Sequence, residues 1–160
     1  MSVAFTKEES AETAAETLLP DRPVSEHPNL VTREGLAALE AEQARARAAF
    51  EASNGIDDIN EKRRQQAGPL RDLRYLAERL HTAILMPVPE SKTVVVFGST
   101  VTFEREDGRV QTYRIVGEDE ADPKAGSISY VSPVARLLSG KRVGETVTLN
   151  GQELEVISIS

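Results

Sequence analysis

Cysteine is absent from this chain of 160 residues. That removes disulfide frameworks, thiolate zinc sites and cysteine nucleophiles together. Histidine is scarce, with only His27 and His81, which disfavours a multi-histidine metal site. No run of about 18 apolar residues occurs, and the first 30 residues lack a basic start followed by an apolar stretch. Neither a membrane span nor secretion is therefore expected, and a cytoplasmic location is the default. Positive charge is in deficit, with 19 Lys and Arg against 26 Asp and Glu and a net charge of −7. The molecule as a whole repels free nucleic acid, so a protein partner is the first expectation. What is present, 39% hydrophobic and 28% charged residues, suits one or two small globular domains.

Residues 1–30 read as an acidic, largely unstructured lead-in. Glu8, Glu9, Glu12, Glu16, Asp21 and Glu26 stand against Lys7 and Arg22, and Pro20, Pro23 and Pro28 punctuate the second half. A short helix over Lys7 to Leu18 suits the alanines and glutamates but has little apolar face to bury. At Thr32 the character changes. Thr32 is an N-cap for a helix whose stripe is Leu36, Leu39, Ala46 and Phe50, interrupted by Gln43. Leu73, Leu76, Ala77, Leu80 and Ile84 form a second stripe that Pro87 and Pro89 end. The turn-forming run Ser53 to Asp58 lies between, which predicts an antiparallel helical hairpin, or coiled coil, over 31–86. Its seam is too thin for a core of its own, so the hairpin should project from a second domain, with 87–92 as linker.

From Thr93 the period becomes two and the residues β-branched. Strands are expected at Val94–Val96, Thr100–Phe103, Tyr113–Val116, Ser127–Val131, Thr146–Leu149 and Glu155–Ile159. Asp107-Gly108, Asp122-Pro123, Ala125-Gly126 and Asn150-Gly151 are the turn signals between them, the first and last being strong hairpin dipeptides. Ser132 and Pro133 open one short helix that stops at Gly140. The fold class is α+β: a helical hairpin over 31–86 and a small antiparallel sheet domain with one short helix over 93–160.

The runs Val96–Val101, Tyr113–Pro123, Ile128–Arg136 and Gly140–Gly144 together resemble the C-terminal domain of the GreA/GreB transcription elongation factors, in order across about 65 residues. The resemblance implies an FKBP-like domain that docks on bacterial RNA polymerase, and a coiled coil that enters the polymerase secondary channel. A similar fold does not by itself imply prolyl isomerase activity. The partner so implied is bacterial RNA polymerase, with the nascent RNA 3′ end in reach of a monomer that is not itself an enzyme and acts at no membrane. In cleavage-promoting members the tip carries an Asp and, three residues later, a Glu, within Gly-Asp-x-x-Glu-Asn. The matching positions are Asp58 and Glu61, with Asp57 beside them. The resemblance gives them a share in a polymerase-held Mg²⁺, a hard cation suited to carboxylates, and no cofactor intrinsic to the chain.

The tip departs from that pattern. Lys62 replaces the Asn, no Tyr follows, and both arms are shorter by about eight residues, or about 12 Å of reach at about 1.5 Å per residue. Gly68-Pro69 would kink the second helix or mark its start. Asp-x-x-Glu at a helix start is also a capping arrangement, so Asp58 and Glu61 read equally as caps. The basic set Arg45, Arg47, Lys62, Arg63, Arg64, Arg71 and Arg74 reads either as an RNA or channel contact, or as a solvated face paired with Glu42, Glu51, Asp72 and Glu78.

Glu118, Asp119, Glu120 and Asp122 lack calcium-loop spacing and read as a docking or solvated loop. Tyr130, Ser132, Pro133 and Arg136 are the first choice for the docking surface, with Val131, Val134 and Leu137 as packing residues. His27 and His81 read as surface or packing residues. Four functions follow: stimulation of transcript cleavage, a non-cleaving Rnk-like or anti-cleavage regulator, a generic interaction module, and an independent Mg²⁺ nuclease. The last is disfavoured because no further carboxylate or histidine cluster lies near the tip.

Overall fold

The computed structural model describes residues 18–160. Of the acidic lead-in expected over 1–30, residues 1–17 lie outside the described residues, and with them all but Leu18 of the short helix expected over Lys7 to Leu18. Strand β1 (Leu30–Val31) leads into helix α1 (Arg33–Ala52), a 3₁₀ turn at Ser53–Gly55 and helix α2 (Ile59–Thr82). Strands β2 (Ile84–Leu85), β3 (Thr100–Arg105), β4 (Val110–Val116) and β5 (Ser127–Ser129), helix α3 (Pro133–Leu138), and strands β6 (Thr146–Leu149) and β7 (Gln152–Ile159) complete the chain. Among the described residues two compact units result, one of residues 18–25 and 39–82, the other of 26–38 and 83–160. Residues 26–38 thus group with the C-terminal residues, so the boundaries at 30/31, 86/87 and 92/93 read from composition differ from those of the compact units.

The helices α1 and α2 are about 30 and 36 Å long at about 1.5 Å per residue, and α1 belongs to the first unit from Leu39 onward. Leu39 and Leu76 are the sealed apolar positions of the two stripes, and Arg79, one turn beyond Leu76, is just as buried. Pro69 neither starts nor ends α2 but lies inside it. Its missing N–H deprives the Gln65 carbonyl of the usual helical donor. The helix ends earlier than the stripe suggests, because Ile84 and Leu85 leave it to form β2. Their backbone is claimed by a ladder in which the Ile84 N–H donates to the Asn29 carbonyl at 2.8 Å and the Met86 N–H to the Val31 carbonyl at 2.9 Å. β1 and β2 pair in parallel.

In the second unit the sheet order is β5-β4-β3-β7-β6. All pairs are antiparallel except β4 with β5, the one departure from the antiparallel sheet expected. Val101 and Phe103 of β3, Ile115 of β4, and Leu154 and Val156 of β7 point into one core, closed by Ala135 and Leu138 of α3. On α3 it is therefore Ala135 and Leu138 that are sealed, while Val134 and Leu137 pack at the margin. Val94–Val96 is not a strand. Val95 is nevertheless fully buried and exchanges backbone hydrogen bonds with Gly140 and Lys141, so a loop fills the role.

Local chemistry explains the corners. Asn150 and Gly151 both have positive φ, 49° and 78°, the type I′ geometry a two-residue hairpin needs. Ser132 caps α3 by accepting from the Ala135 N–H at 3.3 Å. The β3–β7 register shifts at Thr102/Phe103, leaving Ile157 exposed as an extra residue of β7. Strict alternation from Val156 would turn Ile159 outward, and the bulge returns it to the core.

The segment before α1 is fastened closely to this unit. The Leu30 carbonyl oxygen sits where a Cβ on Gly117 would be, and Val31 Cα lies 3.7 Å from that point. Gly117→Ala would drive a methyl into backbone, and we expect it to destabilise the protein by about 1–3 kcal/mol. Denaturant unfolding monitored by circular dichroism checks this. A midpoint equal to that of the parent chain would show that the strap has room to retreat.

Candidate functional site

The candidate site is the tip of the hairpin. α1 ends when Ser53, itself buried, turns its hydroxyl back to donate to the Phe50 carbonyl at 2.5 Å. The Ile56 N–H then closes the 3₁₀ turn on the Ser53 carbonyl at 3.2 Å. α2 restarts at Asp58, whose Oδ1 accepts from the Glu61 N–H at 2.8 Å and whose carbonyl accepts from the Lys62 N–H at 2.9 Å. Asp58 is thus an N-cap, a negative charge at the positive end of the helix dipole. The reciprocal half of a capping box is not made. Glu61 turns instead along its own helix, with Oε2 accepting from Arg64 Nε and Nη2 at 3.1 and 3.0 Å and Oε1 accepting from Gln65 Nε2 at 2.9 Å. Gln66 reaches across the turn and donates to Asn54 Oδ1 at 3.1 Å.

These partners hold Glu61 ionised. The Gln65 hydrogen bond, then the Arg64 hydrogen bond and charge, lower its pKa below the ordinary glutamate value. All these groups are exposed or half-exposed, so the pinning is weak and salt-sensitive. Asp57 and Asp58 are exposed beside it. Among the described residues no group of three or more His, Asp or Glu side chains is arranged to hold a metal.

The basic residues divide. Arg64 pairs with Glu61, Arg71 with Asp72 at 3.2 Å and Arg74 with Asp21 at 2.6 Å. Arg45, Arg47 and Arg63 are exposed, and Lys62 is half-exposed beside the cap. In the second unit several docking candidates serve internal contacts. Tyr130 donates its hydroxyl to the Pro28 carbonyl at 2.5 Å and sets its ring edge-on to Phe97 at 5.7 Å. Glu120 Oε2 accepts from the Thr32 hydroxyl at 2.5 Å, and the same hydroxyl accepts from the Gly35 N–H at 2.9 Å to cap α1. Arg136 Nη2 lies 3.4 Å from His27 Nε2. Ser132 and Pro133 open α3, while the Asp122 backbone pairs with Ser127. Glu118 is half-buried and Asp119 exposed in the same loop, and His81 is exposed on α2. Acidic tip residues and docking candidates thus belong to different compact units.

Three contributors were not foreseen. Asp21 and Arg22 lie against the hairpin, and Arg22 meets the ring of Tyr75. Each such pair spans about 50 residues of sequence, so no local pattern announces it.

For Glu61 the sign of the pH effect follows from its lowered pKa. Whatever its ionised form adds to α2 is present above the ordinary glutamate range and is lost as pH falls through the lowered folded value. A carboxyl-carbon NMR titration should give a midpoint below that of ordinary glutamate, and Arg64→Ala/Gln65→Ala should raise it. A midpoint that stays put in the double variant would remove both side chains as its cause.

Comparison with known proteins gives a consistent picture. The family described as Transcription elongation factor, GreA/GreB, C-term matches residues 90–160. Transcription elongation factor GreA of Sphingopyxis alaskensis is 38% identical over 119 residues, covering 70% of this chain and 75% of that protein. GreA of Methylobacterium nodulans is 34% identical over 152 residues, covering 81% and 95%. GreB of Neisseria meningitidis serogroup B is 41% identical over 95 residues, and there the chain spans only 58% of its relative's length. Among solved structures, the GreA factor homolog 1 (Gfh1) protein of Thermus thermophilus is 23% identical, covers 84% of this chain and 99% of its own, and has a TM-score of 0.39.

Proposed function

Because the chain belongs to the GreA/GreB family of transcription elongation factors, we propose that it binds bacterial RNA polymerase in the cytoplasm, presents its helical hairpin to the secondary channel and modulates elongation. The observation that carries this reading is the acidic tip. Asp58 caps α2, and Glu61 is held ionised one turn later, at the turn of the hairpin, in a chain whose residues 90–160 match the family. The chain acts on the polymerase rather than as an enzyme.

Asp58 and Glu61, with Asp57 beside them, are the residues that would lend oxygens to a Mg²⁺ whose other ligands the polymerase and RNA supply. Such an ion, when bound, activates water and steadies charge on phosphate oxygens. What this chain contributes is the placing of two carboxylates, Asp58 by its cap and Glu61 by Arg64 and Gln65. A second reading, a non-cleaving regulator of the polymerase, is favoured by one feature: both oxygens of Glu61 already have partners on α2. Metal binding stays compatible with these partners, because an exposed, solvent-screened pair on one helix is weak and yields to a divalent cation.

The test adds purified protein to backtracked bacterial elongation complexes with Mg²⁺, following RNA 3′ cleavage and polymerase association together. Cleavage lost in Asp58→Ala/Glu61→Ala, with association kept, is the expected outcome and assigns the carboxylates to the metal. Association without cleavage in the parent chain establishes the non-cleaving regulator. No association sinks both readings.

A further inference from the structure

Residues 18–25 lie in the same compact unit as the middle of the hairpin. Their two charged side chains bind both helices. Arg22 Nη1 is 3.6 Å from Glu42 Oε1 on α1 and 3.3 Å from Asp72 Oδ1 on α2, and its guanidinium stacks 3.8 Å from the centre of the Tyr75 ring. Asp21 Oδ1 accepts from Arg74 Nε at 2.6 Å. Arg22 also resolves a conflict, because Glu42 and Asp72 converge on it as two carboxylates that would otherwise repel. The anchors sit between Pro20 and Pro23, which fix φ and bias the residues before them toward extended backbone, so little chain entropy is lost when the segment lies down.

The position of the segment matters. Glu42 stands ten residues before the end of α1 at Ala52, about 15 Å below the turn at about 1.5 Å per residue. Asp72 stands thirteen residues after the start of α2 at Ile59, about 20 Å below it. Among the described residues no further segment covers the tip beyond that level, and at it the hairpin carries a third segment. The hold is built from half-exposed groups, with side-chain exposures of 33% for Arg22 and 73% for Asp21. Three such ion pairs and one cation–π contact are strong enough to populate the closed form and weak enough for a partner to displace.

We infer that residues 18–25 form a releasable clasp around the middle of the hairpin, which restricts the bare, insertable length to the last 15–20 Å or so and must open for the hairpin to enter a narrow channel more deeply. The clasp also occupies Arg74, removing one of the cations a phosphate-rich partner would meet. The inference rests on the polymerase reading, and its test separates the two.

The chain has no native cysteine, so Arg22→Cys/Asp72→Cys can be bridged with a short bis-maleimide, giving a clasped form to compare with its unbridged counterpart. Asp21→Ala/Arg22→Ala supplies a released form with the hairpin intact. Competition binding to bacterial RNA polymerase is read for all of these, with circular dichroism confirming the folded state. The released form should bind about three- to tenfold more tightly than the bridged one, and its smaller advantage over the unbridged parent should shrink as salt weakens the parent's closed state. Equal affinity of bridged and released forms overturns the clasp and leaves the polymerase reading standing. Absence of binding by every form overturns that reading, and the clasp with it.

Discussion

The Leu30 carbonyl oxygen takes up the space that a Cβ on Gly117 would need, and much of the second unit's packing around β1 goes with that close approach. Only a residue without a side chain lets two backbones approach so closely. With β1 lying there, its edge pairs with β2, the Thr32 hydroxyl reaches Glu120 while capping α1, and the Tyr130 hydroxyl finds the Pro28 carbonyl. The chain therefore enters the hairpin from β1 and leaves it into β2, two strands held side by side. The cap of α1 and the fastening of the strap share one hydroxyl, which donates to Glu120 and accepts from Gly35.

At the other end of the hairpin the forces are smaller. The tip is ordered by a cap, a 3₁₀ turn and side chains one turn apart, each contributing on the order of 1 kcal/mol or less. Interactions of this size set the direction of Asp58 and Glu61 without committing them. A carboxylate kept ionised by an arginine and an amide is ready for a cation, and its present partners are weak enough to exchange. The same economy governs the shaft, where Arg22 binds two acidic residues and an aromatic ring with contacts that salt and competing partners can dissolve.

Several docking candidates in the second unit hold the molecule together. Tyr130, Glu120 and Ser132 each complete an internal hydrogen bond. A residue type suited to an interface is equally suited to pinning a strap, and a resemblance between sequences does not separate the two uses. In the acidic loop the Glu120 carboxylate is likewise committed to Thr32.

Elements governed by neighbours in sequence could be read from the residues alone. Thr32 and Ser132 cap their helices, Asn150-Gly151 makes its hairpin, Asp58 opens α2, and Arg64 and Gln65 stand at the i+3 and i+4 positions that let them reach Glu61. In each case the energy comes from groups within about one helical turn. What needed the tertiary structure joins residues far apart. Ile84 and Leu85 leave an apparently helical stripe because Asn29 and Val31 offer a backbone ladder. Val95 is buried without being a strand, Ile159 returns to the core through a bulge, and Pro69 stays inside a helix. Arg22 finds Asp72 and Asp21 finds Arg74 across about 50 residues. Such pairings are selected by which chain segments the whole fold brings together, and no local period records that choice.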